Sequence, residues 1–282
     1  MERKKGKRNI FLYHLCVCLI GLIMIYPLLW TVSSSFKKSS TIYQTVTQLI
    51  PRNPTTENYV NGWAGFSHTT FGVFIQNTIV VTVVATAGAI LSSLMVAYAL
   101  SRIRFRLRNP LFAMVILTMM LPEQIMMIPQ YLWYNKLGWI NTYLPLIVPH
   151  FFAVSGFFTY VFMNFMNGIP KELDEAARLD GCSKLTMFSR IIVPLTKPAI
   201  ATVTILSFIN RWNDYMSPLL YIKRTPNYTV SIALKLYLDS TSSSDYGAMF
   251  AMAVVSLVPL FVIFITMNKY LVDGVATSGI KG

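Results

Sequence analysis

The sequence predicts an all-α protein that crosses a membrane, and three observations carry that reading. Of the 282 residues, 54% are hydrophobic and only 12% charged, whereas a soluble domain carries roughly 25% charge. The stretches Asn9 to Phe36, Asn58 to Ser101, Leu137 to Pro170 and Tyr246 to Asn268 contain no Asp, Glu, Lys or Arg. Each exceeds the roughly 20 residues that a helix needs to span a bilayer. The formal charge of +13 comes from short basic clusters at the ends of apolar runs. No aromatics interleave with them on a polar face, so the pattern is one of membrane topology and excludes nucleic acid as a partner.

Apolar length, read against Gly, Pro and charge punctuation, gives six helices in one domain over residues 1–282, near 10–33, 73–100, 110–131, 143–166, 199–221 and 247–269. The run Ile10 to Trp30 follows a basic start and is longer than the roughly 7–15 residues of a cleavable signal core, so it reads as a retained first helix. Pro122, Glu123 and Pro129 interrupt the third, either as a kink or as the mark of a helix nearing the outer interface. With the N-terminus inside, the inner segments carry sixteen lysines and arginines, Lys281 of the tail among them, against seven outside. The excess of basic residues in short inner loops places both termini in the cytoplasm.

The segment 168–198 then lies inside. Pro170 suits the first turn of a helix that carries Glu172, Asp174 and Glu175 near its positive end. Gly181 fits the residue after a helix end, where a left-handed backbone carries no side-chain penalty, and Ser183 fits the cap of a second helix. Leu185, Phe188 and Ile191 or Ile192 give that second helix an apolar face. Ala176 and Ala177 keep the first helix narrow enough for its backbone to lie deep in a groove of another protein. An amphipathic connector lying along the inner membrane surface fits the same residues.

Arg211 and Asp214 fall inside the fifth helix, three positions apart on one face and flanked by Asn210, Trp212 and Asn213. A charge at a membrane helix centre costs about 2.5–3.5 kcal/mol on insertion scales, so such residues pair with each other or face a polar cavity. Either they lock helix packing or they line a translocation path. Glu123 reads as a solvated or hydrogen-bonded carboxylate rather than a proton relay. His14, His68 and His150 show no ligand spacing, and Cys16, Cys18 and Cys182 no disulfide framework. We therefore expect no metal and no catalytic constellation. No phosphate-binding loop of the G-x-x-x-x-G-K-[ST] type occurs, so an ATP-driven process would need a separate ATPase chain.

Glu175-Ala176-Ala177, three residues, Gly181, nine residues, Ile191, one residue and Val193-Pro194 resemble the EAA loop of permease subunits of binding-protein-dependent ABC importers. Leucine is usual where Val193 stands. Asn77-Thr78, the run Ala97 to Arg102, Trp212-Asn213-Asp214 and the tail Tyr270 to Gly282 resemble the carbohydrate-uptake branch, and among it the maltose-type smaller permease subunit. The resemblance implies a type I importer permease fold in the bacterial inner membrane. It makes Glu175, Ala176, Ala177, Asp180 and Gly181 an ATPase-coupling element, and Asn210 to Asp214 part of the path of a sugar, with an oligosaccharide as the expected class. It further implies a second permease subunit, two cytoplasmic ATPase subunits and an extracytoplasmic sugar-binding protein facing residues 37–72 and 222–245, with no cofactor on this chain. The competing class is an ion-coupled secondary transporter, which would want midplane carboxylates and internal repeats.

Overall fold

The computed structural model describes residues 2–238 and 244–279. Lys281, the end of the tail run and residues 239–243 of the second outer segment lie outside the described residues. In chain order the helices are α1 (Glu2–Ser34), α2 (Glu57–Ala64), α3 (Phe71–Arg102), α4 (Arg108–Met120), α5 (Glu123–Lys136), α6 (Leu144–Ile147) and α7 (Gly156–Asn167). They continue with α8 (Glu172–Leu179), α9 (Lys184–Met187), α10 (Val193–Leu195), α11 (Lys197–Trp212), α12 (Met216–Tyr221), α13 (Val230–Leu236) and α14 (Tyr246–Gly279). Among the described residues there is no strand, only an isolated bridge between Phe66 and Thr69. Four helical stretches, Leu12–Ser34, Phe71–Arg102, Leu144–Asn167 and Tyr246–Lys269, are long and apolar enough to cross a membrane. Two bent pairs, α4 with α5 and Lys184–Leu195 with α11, bring the number to as many as six.

Prolines and side-chain caps set the breaks. One helix over 110–131 is replaced by α4 and α5, which meet at 103°. Proline drives the residue before it out of the helical region, and Leu121, ahead of Pro122, is extended at φ −80° and ψ 122°. The expected fourth helix is α6, a 3₁₀ turn over Val148–Phe152, and α7. Ser155 restarts the helix, its hydroxyl accepting from the Phe158 N–H. The expected fifth helix ends at Trp212. The Asp214 carboxylate then accepts from the Ser217 N–H at 3.1 Å and opens α12.

Cα packing divides the chain into two units. The first comprises Met1–Phe71 and Leu234–Leu257. Its centre is the buried Asn58, whose amide donates to the carbonyls of Ser35 and Lys37, both at 2.7 Å. Lys37 is itself buried, with its ammonium held by the carbonyls of Thr45 and Gln48. The Tyr237 hydroxyl donates to the Gly62 carbonyl, and Trp30 packs edge-on against Phe250. By contrast, the span Leu12–Ser34 of α1 has no buried residue along its most apolar window, and Ile23 and Met24 are each 72% exposed. Such a surface needs lipid or another chain around it.

The second unit comprises Gly72–Ala233 and Val258–Gly282. Its principal core joins Leu94, Ala97 and Tyr98 of α3, Phe158, Phe162 and Met166 of α7, and Ala199 and Val203 of α11. Ala177, Met187 and Ile192 of the intervening segment pack into the same cluster. Gly156 allows α7 to approach α4 closely, since a Cβ there would lie 2.6 Å from the Val115 carbonyl oxygen. A second cluster gathers Val81, Tyr134, Leu146, Tyr221 and Ile222.

Candidate functional site

Two places in the second unit concentrate the polar chemistry. The first is the segment from α8 to α10, which forms an elbow. Helix α8 ends at Leu179, and Gly181 sits at φ +76° with its missing Cβ pointing into open space. That is the left-handed backbone expected from the sequence, and it turns the chain toward α9 at no side-chain cost. Ser183 caps α9 by accepting from the Thr186 N–H at 3.1 Å. A π-helical turn over Phe188–Ile192 and then α10 carry the chain to α11 at an angle of 75°.

One face of the elbow is buried against its own unit. Asp174, only 6% exposed, forms an ion pair with Arg102 at the end of α3, Nη1 to Oδ2 at 3.0 Å. The other guanidinium nitrogen donates to the Ile169 carbonyl at 2.7 Å and also to that of Met166. The Tyr98 hydroxyl donates to the Lys184 carbonyl at 3.0 Å. Ala177, expected at the docking surface, faces inward at 4% exposure. Glu175, Ala176, Asp180 and Gly181 are exposed. So are Leu179 at 89% and Leu185 at 73%; Leu185 therefore leaves the buried face expected of it, while Met187 and Ile192 fill it. Sequence reasoning missed the Arg102–Asp174 pair and the bare Leu179. The pair spans 72 residues, which no local spacing rule can reach.

The second place is a cavity of about 500 Å³, bounded by α3, α4, α5, the α6–α7 connection, α11 and α12. Of the five residues expected along a path, Arg211 and Asp214 line it. Trp212 is buried and stacks on Phe208, ring centroids 5.7 Å apart. Asn210 and Asn213 are exposed and not among the lining residues. The wall adds groups from other elements: Glu123 at the start of α5, Tyr134, His150, Tyr221, and the hydroxyls of Thr78, Thr82 and Ser217. The break after α4 brings Glu123 there, and that break was marked in the sequence by Pro122.

Arg211 and Asp214 do not pair. Arg102 and Asp174, by contrast, close an ion pair at 3.0 Å. Helix α11 ends at Trp212, so the two residues lie on opposite sides of a helix terminus and not on one helical face. The Arg211 Nε is buried without a hydrogen-bond partner, as is the Thr82 hydroxyl. Among the described residues no group of three His, Cys, Asp or Glu side chains stands ready for a metal.

A family described as binding-protein-dependent transport system inner membrane component matches residues 88–277. The arabinooligosaccharides transport system permease protein AraQ of Halalkalibacterium halodurans is 32% identical, covering 100% of both chains. The galactooligosaccharides transport system permease protein GanQ of Bacillus subtilis is 30% identical, covering 100% of this chain and 99% of the other. A crystal structure of a bacterial ABC transporter involved in the import of the acidic polysaccharide alginate has a chain of the same fold. Its TM-score is 0.79 at 24% identity, with 93% of this chain and 95% of that one covered.

Proposed function

The chain belongs to the family of binding-protein-dependent transport inner membrane components, and from that premise we propose that it is the permease subunit of an ATP-driven oligosaccharide importer. It has the type I ABC permease fold and is a multi-pass membrane protein. In this reading both bent pairs are spans, giving six crossings with both termini in the cytoplasm. A second permease completes the wall of the path, two ATPase subunits supply the energy, and a binding protein delivers sugar from outside. The relatives that transport arabino- and galacto-oligosaccharides support the substrate class.

The observation that carries the proposal is the two-sided elbow. Its outer side offers Glu175, Ala176, Leu179, Asp180 and Gly181 to a partner. Its inner side is fixed to three helices through Asp174 to Arg102 of α3, Ala177 and Met187 in the shared core, and the short link into α11. A buried Met or Ile contributes roughly 1.5–3 kcal/mol against exposure to water. Close-packed side chains do not compress, so a displaced elbow moves its supports with it. The ATPase pair, closing on ATP, would thus rock α3, α7 and α11 together and open the path alternately to the two sides.

The test is uptake into proteoliposomes holding the complete importer. Import should require ATP on the ATPase side and persist when proton and sodium gradients are collapsed. Import that continues without ATP and stops when the gradient is collapsed would replace this reading with ion-coupled transport.

A further inference from the structure

The cavity wall holds polar groups that lack partners within the chain. The Arg211 Nε–H is buried with no acceptor, and a buried donor left unmade carries its full desolvation penalty. Neither Asp214 nor Glu123 closes an ion pair with it. Asp214 uses Oδ1 on the Ser217 N–H. The Thr82 hydroxyl in the same wall is also without a partner. Donor and acceptors stand separately around a space of about 500 Å³, within the range of small-molecule sites.

A sugar hydroxyl matches this arrangement because it accepts and donates at once. One hydroxyl can take the Arg211 N–H while its neighbour gives to Asp214. Charge then separates sugar classes. With histidine neutral, the lining carries one guanidinium against two carboxylates, a formal balance of −1. A uronate would gain one pairing with Arg211 and meet two like charges, and repulsion between like charges grows where water is scarce. A neutral unit satisfies the same groups and adds no charge.

We propose that this cavity is a saccharide subsite belonging to this chain, in which Arg211 donates and Asp214 accepts, and that Glu123 and Asp214 together filter neutral sugar units from uronates. The assignment rests on the importer reading and goes beyond it, because a permease can transport sugar without itself holding the sugar.

The test uses the assembled permease pair with its ATPases in nanodiscs, without binding protein. Equilibrium dialysis is run against tritiated neutral trisaccharides of hexose and pentose units and against a uronate trisaccharide. The wild type should retain a neutral trisaccharide and not the uronate. Arg211→Met should weaken that retention about tenfold or more, as loss of a hydrogen bond to a charged group does. Glu123→Gln, at an exposed residue, should leave neutral retention within about threefold and raise uronate retention about tenfold, the size of one removed like-charge contact. Size-exclusion profiles establish assembly of each variant, and Glu123→Gln keeps the filter testable if Arg211→Met fails to assemble. No retention of any probe by the wild type, unchanged retention in Arg211→Met, or a uronate excluded as before in Glu123→Gln would overturn the subsite. None of these touches the importer reading, which fails instead if wild-type proteoliposomes show no ATP-driven uptake.

Discussion

Two arginine–aspartate couples in this chain have opposite fates. Arg102 and Asp174 are 72 residues apart and meet at 3.0 Å, with both side chains more than nine-tenths buried. Arg211 and Asp214 are near neighbours in sequence and stay apart, with the guanidinium Nε unpaired. The first couple closes within the chain, and Arg102 also satisfies two carbonyls at the end of α7, while the Arg102 Nε and the Asp174 Oδ1 are buried without a partner. Both couples line cavities, of about 540 Å³ and about 500 Å³, but in the second the two charges stay apart. The contrast teaches that a charge's fate is decided by what surrounds it in space: a partner brought from 72 residues away closes one couple, and a near neighbour in sequence leaves the other open.

Breaking the closed couple should produce the largest effect. Arg102→Met or Asp174→Ala alone leaves the other charge buried without its partner, a loss of about 3–5 kcal/mol. Thermal unfolding of the purified complex should show it as a large drop in Tm, whereas the double variant Arg102→Met with Asp174→Leu should recover much of it. Single variants with unchanged Tm would mean that the elbow is not clamped to α3.

Gly181→Val comes next. A β-branched residue at φ +76° bears a backbone cost of about 1–3 kcal/mol, and its side chain meets open space, so no clash adds to it. The penalty is local to the bend. Uptake should fall severely while the Tm of the membrane domain moves by a few degrees at most. Normal uptake would remove the bend from the coupling pathway.

The open couple sharpens the comparison with the smallest change in stability. Arg211→Met removes a half-buried charge that closes no ion pair, which should leave stability unaltered or raise it by about 1 kcal/mol. If Arg211→Met lowers Tm as much as Arg102→Met does, then the two couples are alike and Arg211 serves packing.

What was legible in the sequence follows from the range of the forces involved. The bend at Gly181 and the cap at Ser183 are local backbone chemistry, and both stand where the residues predicted them. The break before Glu123 was announced by Pro122, though whether it kinked or ended the helix depended on packing. The break after Trp212 carries a quieter signal, Asn213 and Asp214 ahead of Pro218, because an aspartate in an apolar run fits an intramembrane charge as well as the helix-opening contact that it makes with the Ser217 N–H. The inward turn of Ala177 and the exposure of Leu179 were beyond reach, since nothing within eight residues of α8 says which face the core will take. Likewise, Glu123, His150 and Tyr221 come to one cavity from three separate elements, and only the fold brings them together.

Crosslinking at Leu179, the most exposed large apolar side chain of the elbow, tests most directly whether the elbow receives force from an ATPase on the cytoplasmic side. Leu179→Cys, placed in a chain whose Cys16, Cys18 and Cys182 are replaced by serine, is treated with a short bifunctional maleimide in the intact complex. An adduct between this chain and the ATPase subunit, with yield that changes between ATP-bound and nucleotide-free complexes, is the expected result. Modification of Leu179→Cys by a membrane-impermeant maleimide added outside intact cells, with no ATPase adduct in any nucleotide state, would contradict it.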